Sequence, residues 1–338
     1  MKTVKNTLTI FIIAILFISC SKNDDQPVTN SLITNVYVAG YQNNLPTIWK
    51  NGVATTLSSQ LGDAYCVYVA GSDVYVAGYG EATNGNSIAK IWKNGVETSL
   101  SNIANYEEAK SVFVSGNDVY AAGYQKTGIR YTARIWKNGI PTALTSGATN
   151  SIANSIFVFG NDVYVAGFEN NGTKNVAKIW KNGVPTAVSN GTTNASLNSV
   201  YVSGSDVYAA GFENNGTTNI AKIWKNNVSM TLNSTTRYEE ASSIYVSVND
   251  VYVASNEETV ASPSIIKTWK NGLSTTITPE TTNAKASSIY VSGTDVYLAG
   301  SEFTSTRNIA KFWKNGVVTS LTNGTISGGA NSIFVTKN

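Results

Sequence analysis

The chain has 338 residues, 24 basic and 21 acidic groups, a formal net charge of +3 and no histidine. So even a balance offers no long-range field for nucleic acid or an anionic membrane surface, and the missing histidine removes the commonest general base and metal ligand. Charged residues make up 13% of the chain, about half the usual share of a soluble domain, with Ser, Thr, Asn and Gly in their place.

The first element in chain order is a leader. Lys2 and Lys5 precede an uncharged, mostly apolar run from Leu8 to Ile18, too short for a hydrocarbon core that needs about 20 residues. This predicts a targeting signal and not a membrane span. The run ends at Phe17-Ile18-Ser19-Cys20, which resembles the lipobox of a bacterial lipoprotein, with Phe17 where leucine is usual. Ser21-Lys22-Asn23-Asp24-Asp25 is similar to the acidic export tag behind that cysteine in Bacteroidota-type surface lipoproteins. The resemblance implies a signal peptide over 1–19, acylation of Cys20, and a tether to residue 30 that contains Pro27. The protein is then held at the outer membrane, facing the cell surface. An ordinary secretory peptide with a chance cysteine is the alternative. Cleavage removes Lys2 and Lys5, leaving 22 basic against 21 acidic groups, a net +1. With Cys20 lipidated, Cys66 is the only thiol and no intramolecular disulfide can form.

From residue 31 onward the chain repeats. Its seven tryptophans, Trp49, Trp92, Trp136, Trp180, Trp224, Trp269 and Trp313, all open the word Trp-Lys-Asn, at steps of 43 to 45 residues. Two further phrases keep that beat: Ser-Val-Phe-Val-Ser-Gly from Ser111 with its relatives, and Asp-Val-Tyr-Val-Ala-Gly from Asp73 with its relatives. Each unit reads as four short strands, A to D, rich in β-branched and aromatic residues. A Gly-Asn-Asp-type turn joins A to B. Asn-Gly joins C to D and favours a type I′ hairpin, where both central residues need positive φ. A period of about 44 residues with four strands predicts an all-β, seven-bladed β-propeller. The first unit begins at strand B (Asn35) and the chain ends in a strand A (Ser332–Val335). The C-terminal strand is therefore expected to complete the first blade and close the ring over residues 31–338.

The tryptophans are read as packing between blades, with a sugar-binding aromatic girdle as the alternative. Lys after each Trp is expected to be solvated, and the Asp of the second phrase to cap the A–B turn. Without histidine the Gly-His dipeptide of WD40 repeats is impossible. The strand pattern is loosely similar to NHL repeats, and more similar to bacterial surface lipoproteins with repeated WKNG and DVYVAG phrases. That resemblance covers almost the whole chain, implies fold and location, and carries over no catalytic residue.

The A–B and C–D turns are short and uniform, whereas the B–C and D–A loops vary, so the latter face is the expected binding surface. Just after strand B stand Tyr41, Tyr79, Tyr124, Phe168 and Phe212, followed by Glu169, Glu213, Glu257 and Glu302 in four blades. Aromatic rings beside carboxylates and amides suit a glycan; padding of the blade edge is the alternative. The candidate ligand residues are Tyr79, Tyr124, Phe168, Glu169, Phe212, Glu213, Glu257 and Glu302. No cofactor is expected, and no metal, since each loop holds one carboxylate. Tyr106-Glu107-Glu108 and Tyr238-Glu239-Glu240 are read as solvated D–A loops. Cys66 takes the place of a serine that opens strand A in the other units, where a small side chain fits the crowded axis. The chain therefore reads as a monomeric, non-catalytic module for a glycan or surface protein. The rivals are a polysaccharide lyase or hydrolase, which would need a polar cluster that breaks the sevenfold symmetry near the axis, and a structural subunit, which would need an exposed apolar patch.

Overall fold

In the computed structural model the described residues are 33–102, 105–232, 237–259 and 262–338. The leader, Cys20 and the tether to residue 30 lie outside them. Residues 33–338 form one compact unit of seven four-stranded antiparallel sheets, and the all-β propeller expected from the repeat is what the chain adopts. Blade 1 takes strand A from the C-terminus (Gly328–Lys337) and strands B to D from the N-terminus (Thr34–Gln42, Leu45–Lys50, Val53–Thr56). Val36 lies opposite Val335 and Val38 opposite Ile333, so the last strand closes the ring in register. Blades 2 to 7 then follow in chain order, their strands A beginning at Gly62, Tyr106, Ser151, Ala195, Tyr238 and Ala284.

Each Trp ring is buried against the preceding blade. Trp92 of blade 2 packs with Tyr37 and Ala39 of blade 1, and Trp224 of blade 5 with Tyr164 and Ile179 of blade 4. Like gaps between blades call for like rings, which is why the word recurs, while the partner of the indole N–H differs from blade to blade, Glu97 for Trp92 and Val188 O for Trp224.

Every strand A carries a bulge. The ladder slips at Tyr65 in blade 2, Lys110 in blade 3, Asn154 in blade 4 and the matching residue of the other blades. The bulge pushes a strand A carbonyl against strand B, and a Cβ on Gly167 would meet Ile152 O at 1.9 Å. That approach accounts for the glycine of Asp-Val-Tyr-Val-Ala-Gly. The serine after the bulge does not open strand A, as expected from sequence, but lies in its middle. Its hydroxyl accepts the freed N–H of the next blade: Ile156 N donates to Ser111 Oγ (3.2 Å) and Val200 N to Ser155 Oγ (3.1 Å). Each such bond contributes about 1 kcal/mol, and together they belt the axis. Cys66 interrupts the belt; its thiol donates instead to Val112 O at 3.8 Å.

Past the belt, strand A puts one aromatic per blade on the axis: Tyr68, Phe113, Phe157, Tyr201, Tyr245, Tyr290 and Phe334. Neighbouring ring centroids are 4.6 to 5.2 Å apart all the way round, with Phe334 returning to Tyr68. This iris stops the channel toward the A–B turns, leaving an axial cavity of about 230 Å³ on the side of the B–C and D–A loops.

The A–B and C–D turns make up one face of the ring. The aspartate does more than cap its own turn: it ties the two turns of a blade together. Asn182 Nδ2 donates to Asp162 Oδ1 (2.7 Å), Asn182 Oδ1 accepts from Val163 N (2.8 Å), and Lys181 pairs with Asp162 Oδ2 (2.8 Å). Six blades repeat the Lys–Asp pair; blade 1 has Asn35 instead.

Candidate functional site

The opposite face breaks the symmetry. Strands A and B run on into what the sequence suggested were loops, so the predicted residues sit on paired backbone. Phe168 and Glu169 belong to strand B of blade 4 (Asp162–Asn170), and Phe212 and Glu213 to that of blade 5 (Asp206–Asn214). The four candidate glutamates are each engaged by a strand C lysine of their own blade: Glu169 with Lys178 (2.5 Å), Glu213 with Lys222, Glu257 with Lys267 and Glu302 with Lys311. Glu257 also takes Arg237 at 2.6 Å. These residues stand one blade apart around the ring and form no common site.

Tyr79 and Tyr124 differ, because the structure gathers them around a residue that the sequence reading set aside. Tyr106, Glu107 and Glu108 are not a solvated loop. They begin strand A of blade 3 (Tyr106–Ser115), with Glu107 1% and Glu108 5% exposed. Glu239 is likewise buried, accepting from Ser255 Oγ at 2.6 Å. Glu108 accepts from Tyr65 OH (2.9 Å) and Tyr106 OH (3.2 Å), and Lys110 Nζ approaches it at 3.9 Å. Lys110 also stands over the Tyr65 ring, 3.7 Å from its centroid. Tyr79 lies 5.7 Å from Tyr65, and Tyr124 packs 5.1 Å from Tyr131.

Asp63 completes the cluster from blade 2, accepting from Asn331 Nδ2 at 2.8 Å. Burial outweighs Lys110 and lifts its carboxyl to about 7, so at neutral pH it is part acid and part base. Burial also pulls the Lys110 ammonium below the usual lysine range and pushes the Tyr79 phenol up to about 12. Asp63 lines a groove between blades 1 and 2 and Lys110 the axial cavity; a carboxyl and an amine so shifted at neighbouring concavities are a pattern that functional sites display.

Local sequence explains why the cluster sits here. At the bulge, Asn154 donates to Leu197 O (2.8 Å) and Asn198 to Ala241 O (2.9 Å), each stitching to the next blade. Blades 2 and 3 carry Tyr65 and Lys110 at that position, and their longer side chains meet across the blade boundary. Blade 2 also lacks the strand B glutamate: Gly80 stands there, and its lysine, Lys90, turns to Glu97 on strand D. Beside Asp63 a groove of about 340 Å³ opens between blades 1 and 2, lined by Tyr41, Asn44, Gly62, Asp63, Tyr79 and Glu81. Its volume falls in the usual range of small-ligand sites. A second groove of about 380 Å³ lies between blades 6 and 7, where Lys285 and Glu258 pair and Phe303 is the single aromatic. Among the described residues no three acidic or cysteine side chains gather as a metal site.

No protein-family model matches the chain, and none of the curated proteins does. Among solved structures the chain is similar to the β-propeller domain of the trilobed protease from Pyrococcus furiosus, with 13% identity over 86% of this chain and 95% of that one and a TM-score of 0.51. A putative TolB from Agrobacterium tumefaciens aligns at 10% identity over 90% and 99% of the two chains, with a TM-score of 0.45. At such identities the likeness is one of fold: this chain is a β-propeller.

Proposed function

We propose that the protein is a lipid-anchored module of the bacterial cell envelope that binds a glycan, without turnover, on the B–C/D–A face. One observation carries the reading: the groove between blades 1 and 2 sets two tyrosine rings, Tyr41 and Tyr79, beside Asp63, Glu81 and the Asn44 amide. Rings that stack on the apolar face of a sugar, with carboxylates and an amide to meet its hydroxyls, match a polyol chemically. The anchor is Cys20, the partner a surface glycan, and the propeller acts as a monomer. A glycan array probed with the processed protein, beside Tyr79→Ala and Asp63→Ala variants, tests it. Binding lost in both variants supports the groove; binding unchanged in both moves the site elsewhere.

A second reading, polysaccharide cleavage at the same face, is favoured by the way Asp63, Tyr65, Glu108 and Lys110 break the sevenfold symmetry beside the axis. A carboxyl that titrates near 7 can take a proton and return it. Product release from any polysaccharide that the array identifies, lost in Lys110→Met and Asp63→Asn while binding persists, would favour turnover over binding alone.

A further inference from the structure

Of the 16 large apolar side chains exposed among the described residues, ten stand on the A–B/C–D turn face. Seven of these form a crown, the residue after each C–D turn: Val53, Val96, Ile140, Val184, Val228, Leu273 and Val317, each 67 to 79% exposed. Strand D is solvent-exposed in all four of its positions in every blade. Its second position takes Ala, Glu, Pro, Ser or Val and its third is Thr in six blades of seven; the first is aliphatic in all seven. β-propensity alone would be met by threonine there, as it is two residues later.

The charges of this face are as regular. In the turns and the residues flanking them, the ionised groups are Asp and Lys, six of the lysines already held by aspartates. Such a surface sets apolar points among pairs of near-zero net charge, so no like-charge field opposes its approach to an interface. Chain connectivity adds direction. Ile33 and Asn338 bond to each other at the turn-face end of blade 1, Ile33 N donating to Asn338 O at 2.7 Å. The chain therefore enters the propeller on the turn face, 13 residues after Cys20, a reach of at most about 45 Å.

We infer that the turn face is the membrane-facing side and that the aliphatic crown rests on the bilayer surface, presenting the B–C/D–A face outward. The inference rests on the Cys20 anchor of the preceding section. A protein partner recognises one patch, whereas seven like points around a ring suit a flat and fluid partner. The attraction is apolar, since the net charge supplies none at long range, and it acts as the second contact that stabilises a lipid anchor.

The test uses the lipidated chain purified from membranes, with Cys66→Ser so that one new thiol can be labelled. An environment-sensitive NBD label goes on Val317→Cys or on Ser305→Cys, which lie in blade 7 on opposite faces. The protein is then placed in phosphatidylethanolamine–phosphatidylglycerol vesicles with brominated acyl chains. The expected result is a blue-shifted, lipid-quenched label at 317 and a water-like label at 305. A water-like label at 317, or lipid contact at both positions, overturns the inference. The anchor is judged separately by whether Cys20→Ala releases the protein from the membrane fraction. Should it not depend on Cys20, the labelled chain is added to the same vesicles, and a silent 317 label still refutes the crown.

Discussion

The two faces of this ring are made from one repeat and behave differently. On the turn face the blades solve the same problem with nearly the same residues: Asn at φ of about 50° and an aliphatic side chain at the rim in all seven, and in six an aspartate bridging two turns with a lysine on it. On the loop face the repeat has diverged: at the bulge blades 1, 4 and 5 keep asparagine and blades 6 and 7 carry Ser242 and Ser287, while the largest change falls where blades 2 and 3 meet. A tyrosine and a lysine replace the asparagine stitches there, and burial lifts the neighbouring Asp63 carboxyl to about 7. A periodic scaffold can lose periodicity only where the lost contact is not needed to close the ring. The lesson is that function is to be sought where the repeat is broken, and orientation where it is kept.

The largest test removes the scaffold common to both faces. Deleting Ser332–Asn338 takes away most of strand A of blade 1, the Ser332 bond to Val67 N and the Phe334 ring of the iris. Loss of the cooperative melt by circular dichroism is expected; a ring that melts unchanged would refute closure by the last strand. Next in size, Trp180→Ala and Trp92→Ala each open a cavity between blades and should cost about 3–5 kcal/mol. Trp92 also donates to Glu97 whereas the Trp180 N–H has no acceptor. If the interblade packing is periodic, denaturant titrations will therefore show Trp92→Ala costing more by about 1 kcal/mol, the worth of one hydrogen bond.

Ring, blade number and closure were legible because a 44-residue beat needs no knowledge of side-chain direction. The candidate cluster around Glu108 was not. Hydropathy cannot show which residue of strand A is extruded at a bulge, so nothing marked Tyr65 or Lys110 as facing the axis. Glu107 and Glu108 looked solvated because two adjacent carboxylates usually are. Here a strand sends them to opposite sides, Glu107 to Arg134 at 3.0 Å and Glu108 to Tyr65 and Tyr106. The glutamates after strand B looked free because their lysines, nine or ten residues on, become neighbours only when strands B and C pair. One clue was available: blade 2 alone has glycine where four blades have glutamate.

The loop face should declare itself by pH. Asp63 ionises near 7 in the fold and near 3.8 in the unfolded chain, so between those values the folded state holds a proton that the unfolded state has released. The contribution of this group to stability is therefore greatest below pH 4, falls as pH rises toward 7, and is constant above. Asp63→Asn keeps an acceptor for Asn331 and removes the ionisation. It should raise stability at pH 8 relative to pH 5 by about 1–2 kcal/mol, a discounted figure since the group keeps some solvent contact. Equal effects at both pH values in thermal melts would mean that Asp63 ionises normally and that the cluster is ordinary surface.

The smallest effect probes the turn face where it departs from its own rule. In five blades the A–B turn begins with glycine at φ of about 60°, but blade 6 has Val248 there at φ 56° and 89% exposed. A β-branched residue in that region costs about 1–3 kcal/mol, partly offset because glycine would lose more freedom on folding. Val248→Gly should therefore stabilise the protein by about 1 kcal/mol in chemical denaturation. At 89% exposure this side chain buries little apolar surface against the rest of the propeller to offset the strain. If the turn face meets lipid, the same substitution removes an apolar contact, and retention of the lipidated chain on vesicles should weaken as solution stability improves. A variant that gains stability and loses nothing at the membrane would make Val248 a mere lapse in the repeat, and would confine lipid contact to the crown.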